Sequence, residues 1–391
     1  MAQDEHDNVM ITAPPDSAPT QPRRIGRRGL VTRGAAGLFG VGMLAAGGSL
    51  VAAEHATTPI SDHTAPGHQR QAIAVGAAAT PTTAPAPMDH GAPGALIMPT
   101  VNGEVDHVKN GFNPTDILTN FDAGTVSTLP NGQIVHDYTI TALNKMIEVV
   151  PGIMYAAWTY NGRIPGPTIR VREGDHVRIR FINGGDYPHS MHFHGIHPAS
   201  MDGVFDAASG QIAPGQEFVY EFDAEPFGLH LYHCHTAPLA EHIAKGLYGA
   251  FIIEPKDGWP KADRELVMVM GGVDIDFDAA NDFYHVNGIP FHYNHDKNPI
   301  RLKVGELVRI FLINILEYDP INSFHLHANF FHYYPTGTSR TPSEFTDTIA
   351  LMQGQRGILE FRYKYPGRYM FHAHKTEFAE LGWTGVFEVG A

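Results

Sequence analysis

Cysteine is almost absent from this 391-residue chain: Cys234 stands alone. A single cysteine excludes an intrachain disulfide and leaves a free thiol, an intermolecular bridge or a metal ligand. Basic residues are also few, with 27 Lys and Arg against 41 Asp and Glu for a formal charge of −14. That balance argues against nucleic acid as a partner and favours solubility. Long apolar runs are lacking except near the N-terminus, and no stretch of the remainder keeps a convincing helical period. What is plentiful is histidine, with 24 in the chain.

The N-terminus reads as a targeting segment. "RRIGRRGLVTRG" carries Arg27-Arg28 before Gly29-Leu30 and resembles a twin-arginine export signal; the apolar, Gly- and Ala-rich "AAGLFGVGMLAAGGSLVAA" follows and closes on small residues. Residues 1–53 are assigned to this signal, giving an exported protein that is extracellular, periplasmic or held in the cell envelope. It meets a membrane only if the segment is retained as an anchor. Residues 54–105 are rich in Ala, Pro, Thr and His and read as a disordered linker, in which His55, His63, His68 and His90 belong to a solvated tail.

The rest is an internal repeat. "NGRIPGPTIRVREGDHVRIRFIN" (161–183) matches "NGIPFHYNHDKNPIRLKVGELVRIFLIN" (287–314), and "FGLHLYHCHTAPLAEH" is answered by "PGRYMFHAHKTEFAEL". Short alternating strands between Gly and Pro turns predict an all-β chain of two homologous Greek-key sandwiches or barrels. The boundary falls in "EPKDGWPKAD", giving domains at 106–258 and 259–391.

Histidines cluster where the repeats end. There are four His-X-His pairs, His192/His194, His233/His235, His325/His327 and His372/His374, whereas chance would give about one or two. Each domain has one pair after its "IN" strand and another in its last third. Side chains at i and i+2 leave one face of a strand, so each pair presents two imidazoles in a single direction. Cys234, between His233 and His235, then points to the opposite face. His189 has the parity to join it there, and His242 beyond the following turn supplies a second nitrogen. A His₂Cys set with a weak axial group is the ligand pattern of a blue copper site. In the second repeat Asn322, Ala373 and Leu381 align with His189, Cys234 and His242, so that set is missing as a unit while both His-X-His pairs persist.

With these motifs in view, residues 130–391 resemble a two-domain multicopper oxidase of small-laccase type, built of two cupredoxin domains and related to copper nitrite reductases. "HSMHFHG" with "HCH" is similar to the motifs that bind type 1 and trinuclear copper, and "FHLHANFF" with "FHAH" to their counterparts lacking type 1 copper. The resemblance implies a type 1 copper on His189, Cys234 and His242, with the axial place taken by Leu247. An apolar residue there implies a three-coordinate metal of raised potential. It further implies a type 2 copper on His192 and His325, and a type 3 pair on His194, His233, His235, His327, His372 and His374, hence about four coppers per subunit. The expected assembly is a homotrimer with the trinuclear cluster between domain 1 of one subunit and domain 2 of the next. Expected partners are O₂ and a small reducing substrate, a phenol, an aromatic amine or a metal ion. Asp202 in "MDGVF" resembles the family's acidic residue near type 2 copper and is expected to relay protons, or to serve as a turn residue; Asp347 in "TDTIAL" is a second such candidate.

The alternatives are a copper nitrite reductase and a cuprous or other metal-ion oxidase. Against the first, His192 stands where that family has its catalytic aspartate, and His235 where it has no histidine. Against the second, the methionines are scattered. A simple electron carrier would leave eight histidines unexplained. The turn from Cys234 to His242 is longer than in typical laccases. His197, His292, His295 and His332 have no assigned role.

Overall fold

A computed structural model of the chain describes residues 103–294 and 298–391. The signal segment, nearly all of the linker with its histidines, and His295 lie outside the described residues. Among the described residues no helix is long and apolar enough to cross a membrane.

Four sheets carry the fold, as two cupredoxin-like β-sandwiches. In the first sandwich one sheet runs, in spatial order, Phe121–Asp122, Thr168–Arg172, Tyr248–Glu254, Gly228–His233 and His192–Phe193. Facing it are Thr125–Thr128, Ile134–Val150, His176–Asn183 and Glu217–Asp223, with Ile153–Tyr160 paired on the long second strand. In the second sandwich a six-stranded sheet is built around Arg264–Val273, Val308–Asn314 and Arg356–Phe361. Its partner sheet holds Ile300–Lys303, Thr384–Gly390, Gly367–His372, Ile321–Leu326 and Thr348–Met352.

Alternation explains the outer sheet of the first sandwich. Along His176–Asn183, Val177, Ile179 and Phe181 enter the core, while Arg178 turns outward to pair with Asp137. The inner strands behave differently. Gly228–His233 and Val308–Asn314 are buried at every position. Both faces are covered: Tyr232, Phe251 and Ile253 pack into the first sandwich, and Ile310 and Leu312 into the second. Leu229, Leu231, Ala250 and Ile252 meet Val267, Val269, Phe311 and Ile313 in a third apolar cluster that joins the two. Strands covered on both faces read as continuous apolar runs.

Order begins earlier than the linker assignment allows. Val105 is buried in the joining cluster, and the Asp106 amide donates to Glu148 Oε2 at 3.1 Å, so residues 103–105 belong to the folded part. Two one-turn helices follow, His107–Asn110 and Pro114–Ile117. The first is capped by Asp106 accepting from the Val108 and Lys109 amides; the second is capped by Asn113 and starts on Pro114.

Candidate metal centres

Cys234 follows the end of its strand, with its amide donating to the Leu247 carbonyl at 2.9 Å. Its Sγ lies 3.1 Å from His242 Nδ1 and 3.9 Å from His189 Nδ1, and the two Nδ1 atoms are 3.2 Å apart. All three residues are buried. His189 is not on the strand of His192, which is only His192–Phe193; it is held by a two-way backbone bridge to Ile212. His189 lies beside Cys234, but the extended strand expected to link it to His192 and His194 is interrupted. His242 sits on the short helix Leu239–Ala244. Leu247, placed beside Cys234 by the main-chain bond, is fully buried in the same cluster.

Burial pushes His189 down to about 3, helped by the neighbouring His242, and pushes His242 down to about 4. Both rings are therefore neutral at pH 7 with nitrogen lone pairs available. Burial raises the thiol of Cys234, against amide contacts from Thr236 and Ser190. A soft sulfur and two imidazole nitrogens converging in an apolar pocket suit copper, whose charge would draw off the thiol proton.

The His-X-His pairs assemble into two matching half-sites. His192 stands opposite His233 across paired strands, and His325 opposite His372. His194 and His233 bring their Nε2 atoms within 2.9 Å, and His327 and His372 do the same at 2.9 Å. The His235 ring centre lies 5.0 Å from that of His192, and His374 lies 5.2 Å from His325. The supporting bonds repeat as well. His233 Nδ1 contacts the Cys234 carbonyl at 2.8 Å and His372 Nδ1 the Ala373 carbonyl at 2.7 Å. These acceptors fix the tautomer and leave Nε2 free as a ligand. Burial lowers His192, His327 and His372, and takes His194 to about 3 and His233 to about 4, with nearby imidazoles adding to the effect in each half-site. The ligand atoms form two separate groups, one per sandwich, among the described residues.

Asp202 and Asp347 occupy corresponding places with different reach. His192 Nδ1 is 2.7 Å from the Asp202 carbonyl and 3.0 Å from its carboxylate. His325 Nδ1 is 3.1 Å from the Asp347 carbonyl and 4.0 Å from its carboxylate, with Thr348 Oγ1 nearer at 2.8 Å.

One aligned position is corrected. Leu247 and Trp383 accept from the amides of Cys234 and Ala373, and each donates its own amide to the carbonyl five residues earlier, His242 and Phe378. Phe378, fully buried, is therefore the counterpart of His242, and Leu381 is not. The connection in the second sandwich is shorter, which sequence matching read without a gap.

Several contributors carry no sequence signal. His197 lies 3.4 Å from the Asp202 carboxylate and 2.6 Å from the Phe193 carbonyl. Trp158 packs on both His189 and His242. Outside the centres, His292 is spent on Thr115 Oγ1 at 2.8 Å, and His332 and Phe345 meet with their rings tilted, both lining a groove of about 800 Å³ that also includes His325 and His327.

Models of multicopper oxidase domains match residues 144–258 and 266–391. A crystal structure titled multicopper oxidase is 62% identical, with a TM-score of 0.72, covering 73% of this chain and 100% of that one. The copper nitrite reductase from Nitrosomonas europaea is 30% identical at a TM-score of 0.61, covering 66% and 94% respectively. The copper-containing nitrite reductase of Neisseria gonorrhoeae is 32% identical over 250 residues, 59% of this chain and 62% of that protein. The chain thus spans about 62% of the length of that curated relative. The protein belongs to the multicopper oxidase family, with two cupredoxin-like domains related to those of copper nitrite reductases.

Proposed function

We propose that this protein is a laccase-like oxidase that takes single electrons from a small reducing substrate and passes four of them to O₂, giving water. The observation that carries the reading is the pair of equivalent imidazole half-sites, each with two His-X-His pairs in the same cross-strand register. His189, Cys234 and His242 would hold type 1 copper beside Leu247. His192 and His325 would hold type 2 copper, and His194, His233, His235, His327, His372 and His374 the type 3 pair, about four metals per chain. When bound, copper supplies one-electron chemistry at the first site and multi-electron reduction of O₂ at the second.

The chain's own contribution is connection, support and exclusion of water. Cys234 is flanked directly by His233 and His235, and the His233 ring is bonded to the Cys234 carbonyl, so one short segment serves both sites. Asp202 holds His192 through two oxygens and is positioned to pass protons inward. The half-sites are separate groups within one chain, and the second opens on a surface with exposed His374, Phe330, Phe345 and Tyr365. An apolar rim around an incomplete metal site supports a homotrimer that completes each cluster with a neighbour's half-site. Export by the twin-arginine route belongs to the same proposal, as do a phenol, aromatic amine or metal ion as reductant.

Nitrite reduction is the competing reading, favoured by the curated relatives. The test is oxygen uptake with a phenolic donor, in parallel with nitrite consumption without air. Uptake near one O₂ per four electrons without peroxide supports the proposal; nitrite reduction with negligible uptake overturns it.

A further inference from the structure

Trp158 lies against the outer side of the Cys234 pocket. Its ring centre is 4.6 Å from that of His242 and 5.1 Å from that of His189, edge-on to both, and the residue is 5% exposed. On its other side Tyr187, 55% exposed, meets the indole with centres 5.1 Å apart. The position is clamped: the Trp158 amide donates to the Lys245 carbonyl at 2.9 Å, and the Lys245 ammonium sits 4.3 Å from the indole centre. A continuous aromatic contact thus runs from solvent to both imidazoles. The two other tryptophans pack elsewhere, Trp259 on Phe311 and Trp383 on Phe324 and Phe371.

We propose that Tyr187 and Trp158 form the contact through which a reductant at the surface couples to the His189–Cys234–His242 site, with Trp158 as the positioning residue. The inference rests on that site being the type 1 copper of the proposed function. The donor would lose one electron and a copper held by His189, Cys234 and His242 would gain it; no bond is made or broken and no proton moves. In this proposal the indole acts as a bridge and is not itself oxidised.

The test compares the purified, copper-loaded full chain with W158L, W158F and Y187L. Bleaching of the blue band is followed in stopped flow, without oxygen, with hexaammineruthenium(II) as the outer-sphere donor. The band position and EPR spectrum should be the same in all four. Bleaching should slow by about an order of magnitude in W158L and severalfold in Y187L, and recover most of the wild-type rate in W158F. Independently, cuprous ion added to the metal-free protein should alter tryptophan emission in the wild type, with most of that response lost in W158F. Unchanged bleaching in W158L, or a shifted blue band showing that the indole only shapes the site, would overturn the inference. Absence of a blue band in the wild type would instead overturn the type 1 assignment.

Discussion

The two sandwiches carry the same half-site on the same scaffold, yet among the described residues only the first adds a pocket of one sulfur and two imidazoles. Ser190 Oγ accepts from the His235 amide, and Ser323 Oγ from the His374 amide, at 3.2 and 2.8 Å. The cross-strand histidines, their carbonyl acceptors and the two aspartates correspond in turn. Where they diverge, Cys234, His189 and His242 are replaced by Ala373, Asn322 and Phe378, all buried. The second set fills the space with apolar side chains and an asparagine bonded to Asn314 at 3.4 Å. The imidazole half-site belongs to the strands common to both repeats; the sulfur site is an addition that requires three substitutions and a longer connection.

Substitutions that separate the two sets should break this comparison most sharply. Cys234→Ala should abolish the blue absorption and remove about one copper per chain, leaving the copper on the half-sites, as absorbance and metal analysis will register. His194→Ala and His327→Ala, in corresponding places, should each eliminate the near-ultraviolet absorption and antiferromagnetic coupling of the paired coppers while the blue band persists. Unequal losses would mean that the half-sites do not share one cluster. Asp202→Asn should lower turnover about tenfold or more, and Asp347→Asn much less, because only the Asp202 carboxylate reaches its histidine directly; kcat with a fixed donor measures both.

Smaller effects concern the scaffold. Leu231→Ala, in the cluster joining the sandwiches, should cost about 2–5 kcal/mol in denaturant unfolding of the metal-free protein. Acid should weaken the same protein through His285 and His292, which burial pushes down to about 3 in the folded state. Each is neutral when folded and takes up a proton on unfolding, so stability is full above pH 6.5 and declines as pH falls from about 6.5 toward 3. Replacing either with glutamine should flatten that decline.

Part of the centre was legible in the sequence because strand parity is a local rule: it set Cys234 apart from the His233/His235 pair, whereas His189, off the strand of His192, reaches Cys234 through its bridge to Ile212. His242 was read as the nitrogen beyond the turn after Cys234; its position on a helix was not legible. Three things were hidden. The counterpart of His242 depends on a loop-length difference, which only the hydrogen bonds of Leu247 and Trp383 expose. Trp158 looks like any strand aromatic until the pocket closes around it. Val105 sits at the edge of a disorder-like composition, and only the cluster between the sandwiches gives it something to pack against.

The central claim is that two matching half-sites and one sulfur site together make an oxygen-reducing copper set. Copper content per chain, measured with the visible and EPR spectra of the purified protein, tests it most directly. About four coppers, an intense blue band, a type 2 signal and near-ultraviolet absorption from a coupled pair are the result expected. About two coppers with a blue band and no coupled pair would contradict it and identify a nitrite-reductase-like metal set.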